Sequence, residues 1–278
     1  DCTWCENAMA LSGLDIYKLL PKTNCRQCGF PTCLAFALAL AKKATSLEKC
    51  PTVSQEAKQA LEAQSQPPIR LIRVGDEKNK AEIGNETVMF RHEEKFHHPT
   101  AIGFIIEDSL SNDQIKQRLD KIGKLHFERV GQLIKTDLVA LKQTKDAARF
   151  NEALKLVLAS NNSGLVLMSE DPAALKEALK ASSGKSPLIY AASDKNLAEL
   201  AQAAKESGAS LAIKAESLDK LAELTKKAVG AGAVDLVLDV DVNRQPSKVI
   251  AELTELRRQG LNKSNRALGY PLITVMDK

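Results

Sequence analysis

No cysteine follows Cys50, no stretch is apolar for long enough to cross a membrane, and aromatic residues make up only 4% of the chain. Each scarcity excludes something. A membrane helix needs about 20 consecutive apolar residues, and no run approaches that length. Few aromatics leave few platforms for stacking single-stranded bases. Charge of one sign is lacking too: 39 basic against 35 acidic residues give a net charge of +4, too balanced to imply nucleic acid. The start, Asp1-Cys2-Thr3-Trp4, has no basic region followed by an apolar one, so no secretory signal is expected. Charged residues at 27% and apolar residues at 44% exclude wholesale disorder. A length of 278 residues has room for one large domain, or for a small module and a medium one.

What is present is a cluster of six cysteines confined to the first 50 residues. A disulfide-stapled secreted protein spreads its cysteines over a small, loop-rich chain. Here they occupy one end, ahead of a long cysteine-free body, which points to the reducing cytoplasm and to thiols used as metal ligands or redox groups. Cys25, Cys28, Cys33 and Cys50 follow the spacing C-x2-C-x4-C-x16-C. Three thiolates within nine residues, with a fourth a short helix away, can converge on one centre. Four soft thiolates suit an iron–sulfur cluster or zinc. Zinc sites more often use paired C-x2-C knuckles or include histidine. The spacing therefore favours a [4Fe–4S] cluster, with zinc and free buried thiols as alternatives.

The neighbouring residues suit a cluster loop. Gly29 and Pro31 punctuate Cys28-Gly29-Phe30-Pro31-Thr32-Cys33, and glycine lets backbone N–H groups approach cluster sulfurs. Pro31 and Thr32 suit a helix start, and residues 33–43 form helix by propensity, with Lys42 and Lys43 at the end. Phe36 and Leu40, four apart, either shield the cluster or simply pack the core. Lys22, Arg26 and Lys49 either offset cluster charge or form a solvated basic surface.

The stretch from Leu14 to Ala37, Leu-Asp-Ile-Tyr-Lys-Leu-Leu-Pro-Lys-Thr-Asn-Cys-Arg-Gln-Cys-Gly-Phe-Pro-Thr-Cys-Leu-Ala-Phe-Ala, closely resembles the cluster domain of the corrinoid/iron–sulfur protein large (gamma) subunit of the reductive acetyl-CoA (Wood–Ljungdahl) pathway. Residues 86–92, 127–132, 165–172 and 268–273 resemble the body of that subunit, so the likeness runs from about Met9 to Lys278. The resemblance implies an α/β chain: a small, mostly helical [4Fe–4S] domain followed by a (β/α)8 TIM barrel, incomplete at its C-terminal end. It implies residues 1–8 as a leader foreign to the family, 9–58 as the cluster domain, 59–98 as linker and β-hairpin, and 99–278 as a partial barrel. The family's C-terminal corrinoid-binding domain is expected to be absent, and the sequence reads as a fragment of a longer product. Cys2 and Cys5 form a C-x2-C pair in the leader with no role assigned.

The body supports this reading independently. Gln66-Pro67-Pro68 reads as a linker, and 69–74 and 81–90 as two strands around a polar turn. Apolar strand candidates then recur at 101–106, 138–143, 164–168, 187–191, 209–213, 234–239 and 271–276. Helical periodicity separates them at 172–181, 195–206 and 217–229, with Asp171-Pro172 and Ser217 as helix starts. Repeated βα units with continuous apolar strands imply a parallel sheet covered on both faces. By pattern alone, a barrel lacking its last unit and an open doubly wound sheet both fit.

Other motifs are set aside. Gly184-Lys185-Ser186 lacks the first glycine of a phosphate loop and precedes a strand. Gly230-Ala231-Gly232-Ala233 leads from helix to strand, as a tight turn does. His92, His97 and His98 miss the zinc-protease spacing, and the sequon Asn85-Glu86-Thr87 reads as chance. Glu107, Asp108, Asp239, Asp241 and Asn243 fall at strand ends, where barrels place their chemistry, and are read mainly as structural.

By resemblance, the expected function is that of a methyl-carrier subunit rather than a stand-alone enzyme. In the complete heterodimer with the small subunit, a cobamide accepts a methyl group from methyltetrahydrofolate through a methyltransferase and passes it to acetyl-CoA synthase. The cluster, held by Cys25, Cys28, Cys33 and Cys50, returns Co(II) to Co(I). No nucleic acid and no membrane is expected as a partner. The alternatives are a ferredoxin-like electron-transfer module fused to a barrel enzyme without corrinoid, and a zinc-stabilised interaction domain.

Overall fold

The computed structural model describes residues 13–41, 44–54, 67–77, 79–90, 92–94, 98–160, 163–241, 246–261 and 265–276. Residues 1–8, expected above to be a leader, lie outside them with Cys2 and Cys5, as do His97 and Asn243. The chain divides into two compact units, residues 1–67 and 68–278.

In the first unit, α1 (Gly13–Leu19) packs against α2 (Cys33–Ala41). The helices come close because Gly13 carries no Cβ; one there would stand 2.5 Å from Leu38 Cδ2. Thr32 caps α2, its hydroxyl accepting from the Ala35 N–H at 3.1 Å. Ile16, Leu20, Phe36, Ala37 and Val53 form the apolar centre of the unit.

The second unit opens with a short antiparallel hairpin, β1 (Ile72–Val74) and β2 (Ala81–Ile83). Alternating βα units follow: β3 (Gly103–Glu107) and α3 (Asn112–Gly123), then an exposed hairpin of β4 (His126–Arg129) and β5 (Gln132–Lys135). Next come β6 (Leu138–Lys142), α4 (Ala147–Ser160), β7 (Gly164–Met168), α5 (Pro172–Ala181), β8 (Leu188–Ala192) and α6 (Leu197–Ser207). β9 (Ser210–Ala215), α7 (Leu218–Ala231), β10 (Leu236–Val240) and α8 (Pro246–Leu261) complete the series.

Local chemistry sets the helix boundaries. Ser111 and Gln114 form a reciprocal capping box at α3. The Asp171 carboxylate accepts from the Ala173 N–H ahead of α5, with Pro172 at the first helical position. Ser217 caps α7 in the same way. Gly232 ends α7 in the left-handed region at φ 96°, so the glycines around residue 230 make a helix-to-strand turn.

β3, β6, β7, β8, β9 and β10 form one parallel sheet in which spatial order follows chain order. A doubly wound sheet reverses its order at a switch point; a barrel wall does not. The wall is therefore that of an incomplete βα barrel. Strand residues alternate between its faces. Val139, Leu141, Leu165, Leu167, Ile189, Leu211, Ile213, Leu236 and Leu238 belong to the apolar cluster shared with the helices. Leu138, Ala140, Val166, Met168, Leu188, Tyr190, Ala212 and Val237 form a second cluster on the inner face, together with Ile72, Val74 and Ala81 of the first hairpin. That hairpin closes the N-terminal end of the inner face: the Gly75 N–H donates to Ser186 O at 3.0 Å and the Ser210 hydroxyl to Arg73 O at 3.3 Å.

The strand expected over 271–276 reduces to a single parallel bridge, Leu238 to Leu272, flanked by bonds from Leu238 N to Pro271 O and from Ile273 N to Leu238 O, both 2.9 Å. Between this segment and the free edge of β3 lies a cavity of about 1160 Å³, lined by inner-face residues such as Ile105, Met168 and Tyr190.

Candidate metal centre

The loop joining α1 to α2 winds tightly. Lys22, Asn24 and Arg26 have φ of 57°, 50° and 62°, and Gly29 has 83°. Asn24 fastens the loop to the start of α2: its side-chain oxygen accepts from the Cys33 N–H at 2.8 Å, and its own N–H donates to Cys33 Sγ at 3.4 Å. Cys33 thus opens a helix. A turn from Arg26 O to Gly29 N, 3.0 Å, follows Cys25 and carries Cys28. Cys50 ends a short 3-10 turn at Leu47–Lys49, its N–H donating to Leu47 O at 3.1 Å.

All four cysteines are free thiols. Cys33 and Cys50 are buried, and Cys28 packs against the same apolar cluster with Phe30 and Leu40. Cys25 is exposed. Phe36 is buried in that cluster and meets Phe30 at 5.5 Å between ring centres. Lys22, Arg26 and Lys49 are exposed, and the Lys22 ammonium lies 5.6 Å from the Tyr17 ring centre.

Hydrogen bonds to sulfur distinguish the site. The Gln27 backbone and the Thr23 side chain, with a smaller contribution from Thr52, hold the Cys25 thiol below its ordinary range against a modest desolvation cost. The Thr52 hydroxyl also stands 3.5 Å from Cys50 Sγ. A neutral thiol is a weak acceptor, whereas a metal-bound thiolate carries the charge that such contacts favour. The donor set, four free thiols with three against an apolar wall, fits a thiolate-ligated iron–sulfur cluster. Among the described residues, no three Cys, His, Asp or Glu side chains are gathered for a single metal ion. Thr23, Asn24 and Thr52 were not singled out from sequence; their signal is adjacency, polar residues flanking Cys25 and following Cys50.

The acidic residues at the strand ends behave differently. Asp108 is fully buried, and its carboxylate accepts from the Thr144 N–H at 2.8 Å, the Thr144 hydroxyl at 2.5 Å and the Lys145 N–H at 3.1 Å. Arg149 adds bonds to the carbonyls of Asp108 and Leu110 at 3.0 and 2.5 Å, and to Asn112 Oδ1 at 2.6 Å. This network braces two βα loops against each other. Asp239 is buried on the inner face and accepts a hydrogen bond from the Tyr190 hydroxyl. Burial pushes its carboxyl up to about 6, against the opposing pull of that bond and of Lys214. Asp241 pairs with Lys214 at 3.4 Å. Lys185, from the rejected phosphate-loop motif, pairs with Asp76 at 2.7 Å. His92 stacks on Phe90, and His98 lies 3.9 Å from Glu82. No helix among the described residues is long and apolar enough to cross a membrane.

Fold and site define a class: a small helical module presenting four cysteines, followed by a parallel βα unit with a barrel-type wall. The chain belongs to the CO dehydrogenase/acetyl-CoA synthase delta subunit family, whose model matches residues 71–276. A family model for an Fe-S cluster matches residues 20–52, the segment that holds all four cysteines. The corrinoid/iron–sulfur protein large subunit of Moorella thermoacetica is 42% identical over 268 residues, covering 96% of this chain and 60% of that protein. The acetyl-CoA decarbonylase/synthase complex subunit gamma of Methanocaldococcus jannaschii is 34% identical over 277 residues, covering 95% of this chain and 56% of that protein. The chain thus spans rather more than half the length of these relatives. Dihydropteroate synthase from Thermus thermophilus superposes on 62% of the chain, and 69% of its own, at a TM-score of 0.44 and 15% identity, too weak a likeness to argue from.

Proposed function

We propose that this chain is part of the large subunit of a corrinoid/iron–sulfur methyl carrier and that Cys25, Cys28, Cys33 and Cys50 ligate a [4Fe–4S] cluster. The observation that carries the reading is the gathering of polar groups on sulfur: the Asn24 N–H donates to Cys33 Sγ, the Thr52 hydroxyl stands 3.5 Å from Cys50 Sγ, and the Gln27 backbone and the Thr23 side chain hold the Cys25 thiol below its ordinary range. The family membership and the relatives' names support it.

When bound, the cluster would supply low-potential single electrons to return an oxidised corrinoid cobalt to Co(I). The residues of this chain do the rest. Phe30, Phe36 and Leu40 keep water from the buried cysteines, and exposed Cys25 marks the side open to an electron partner. The wall of the second unit serves as scaffold, its loops tied by the Asp108 network. In the complete heterodimer with the small subunit, the carrier takes methyl from methyltetrahydrofolate through a methyltransferase and delivers it to acetyl-CoA synthase.

Anaerobic purification or reconstitution of the chain, with iron and acid-labile sulfide analysis and EPR of the reduced protein, tests the assignment. Equal iron and sulfide near four per chain, with a reduced-cluster signal, is the expected result. Stoichiometric zinc, or protein without iron after reconstitution, overturns it.

A further inference from the structure

From Cys33 to Ala41, α2 carries no charged, amide or hydroxyl side chain. A helix that is apolar all round is normally covered on every side. This one buries a single stripe, Cys33, Phe36 and Ala37, while Leu34 and Leu38, four residues apart, are 37% and 47% exposed. Leu14 of α1 is 60% exposed. It follows Gly13, the residue against which Leu38 packs, so Leu14 and Leu38 stand at the same helix crossing. Positive charge borders this apolar face. Exposed Lys22 and Arg26 flank Asn24, whose side chain is bonded to Cys33, the residue before Leu34. Exposed Lys49 precedes Cys50. Across residues 13–54, Lys18, Lys22, Arg26, Lys42, Lys43 and Lys49 outnumber Asp15 and Glu48.

We propose that the open side of α2, Leu34 and Leu38 with Leu14 of α1, is the docking face on which a small, acidic, low-potential iron–sulfur protein exchanges an electron with the cluster. This deepens the reading above and rests on it. Three observations choose the occupant. The face starts at Leu34, next to the proposed ligand Cys33, so a molecule seated on it comes close to the cluster, which favours a redox protein over a lipid surface. The basic residues beside the face match an acidic partner and steer its approach. Three leucines make a small patch, and weak electron-transfer encounters have the smallest interfaces. In the step itself one electron passes from the reduced cluster of one protein to the oxidised cluster of the other. No bond forms or breaks, and no proton moves.

The test uses the full chain, reconstituted anaerobically, photoreduced and mixed in stopped flow with an oxidised, purified acidic [4Fe–4S] ferredoxin. Oxidised methyl viologen, too small to need a docking face, is the control. Replacing both Leu14 and Leu34 by Gln should leave the iron content and the viologen rate unchanged. The second-order rate with ferredoxin at low salt should fall about tenfold, the effect of about 1.4 kcal/mol of lost apolar contact. Replacing Lys22 and Arg26 by Gln should slow the ferredoxin reaction at low salt and flatten its dependence on ionic strength. An unchanged ferredoxin rate in the leucine variant, with the cluster intact, overturns the inference while leaving the cluster assignment standing. An equal fall with viologen also overturns it, because the leucines would then act on the cluster itself. If the double variant loses iron, Leu14→Gln alone, on the helix that carries no ligand, decides by the same two rates. Binding to phosphatidylglycerol vesicles that the leucine variant loses, with an unchanged ferredoxin rate, overturns it in favour of a lipid surface. A wild-type chain that takes up no iron overturns the cluster assignment beneath it.

Discussion

The cysteine loop and the barrel wall use similar polar residues on different partners. In the loop, Thr23, Thr52 and the Asn24 backbone face sulfur. In the wall, Asp108, Thr144 and Arg149 face one another and the backbone, and every bond joins nitrogen to oxygen or oxygen to oxygen. Oxygen and nitrogen donors gain little from a neutral thiol, so the loop's bonds add little to stability unless the sulfurs are charged. The wall's bonds need no such condition. The wall also has broad apolar clusters on both faces, whereas the first unit has a single small one. On the proposed function, the two units are held by different forces: the first by its small apolar centre together with what its cysteines bind, and the second by its own burial.

The largest expected effect separates them. Cys33→Ala should abolish iron retention almost completely, because it removes the ligand that opens α2 and the acceptor of the Asn24 N–H. Native-state hydrogen exchange of β6 to β10 should keep wild-type protection, since those strands draw on apolar burial within residues 68–278. Loss of protection in the wall along with the iron would break the comparison and make the two units one cooperative structure.

Both regions were legible in the sequence to unequal depth, for physical reasons. The strand at 164–168 and the helix at 172–181 have the boundaries expected, because a fully apolar run and the Asp171-Pro172 start are local signals. The β4–β5 hairpin was not read from sequence. Its first strand is exposed throughout, so Phe127 and its neighbours show no inside–outside alternation. The run 271–276 is apolar enough for a strand, yet with a neighbour on one side alone it forms a single bridge. The spacing of the four cysteines was plain. The pairing of Asn24 with Cys33 was not, because no local pattern records which loop residues the fold brings together.

Asp239 offers a second contrast, since it is a buried acid whose partner is neutral. Its carboxyl lies near 6, raised from 3.8 chiefly by burial, although the Tyr190 hydroxyl donates to it. The native state therefore holds this proton more tightly than the unfolded chain does. The contribution to stability is greatest below about pH 4 and is lost as the pH rises through 6. Glu82 is half-buried and Glu152 and Glu223 are exposed; hydrogen bonds lower all three, so they act in the opposite sense. Comparing wild type with Asp239→Asn cancels those terms. Urea unfolding at pH 4.5 and 7 should show the wild-type deficit relative to Asp239→Asn growing by about 2 kcal/mol at the higher pH. A difference that does not change with pH would place the carboxyl at an ordinary value and remove it from the account.

The smallest effect sharpens the comparison, because it asks what a brace made only of oxygen and nitrogen contributes. Asp108→Asn keeps the size of the side chain, and one oxygen still faces Thr144. It removes the charge that strengthens three bonds and turns an acceptor into a donor facing the Lys145 N–H, 3.2 Å away from the second oxygen. Arg149 bonds to backbone carbonyls in this network, so its own contacts survive the substitution. A charge-assisted bond contributes more than a neutral one, and one mismatched donor adds a small penalty. Together these predict a loss of about 1–2 kcal/mol in urea, with an unchanged slope and unchanged iron content. An unaltered urea midpoint would mean that apolar burial alone fixes the βα loops. A fall in iron content would show that the brace reaches the cysteine module, and the division of labour between the units would have to be redrawn.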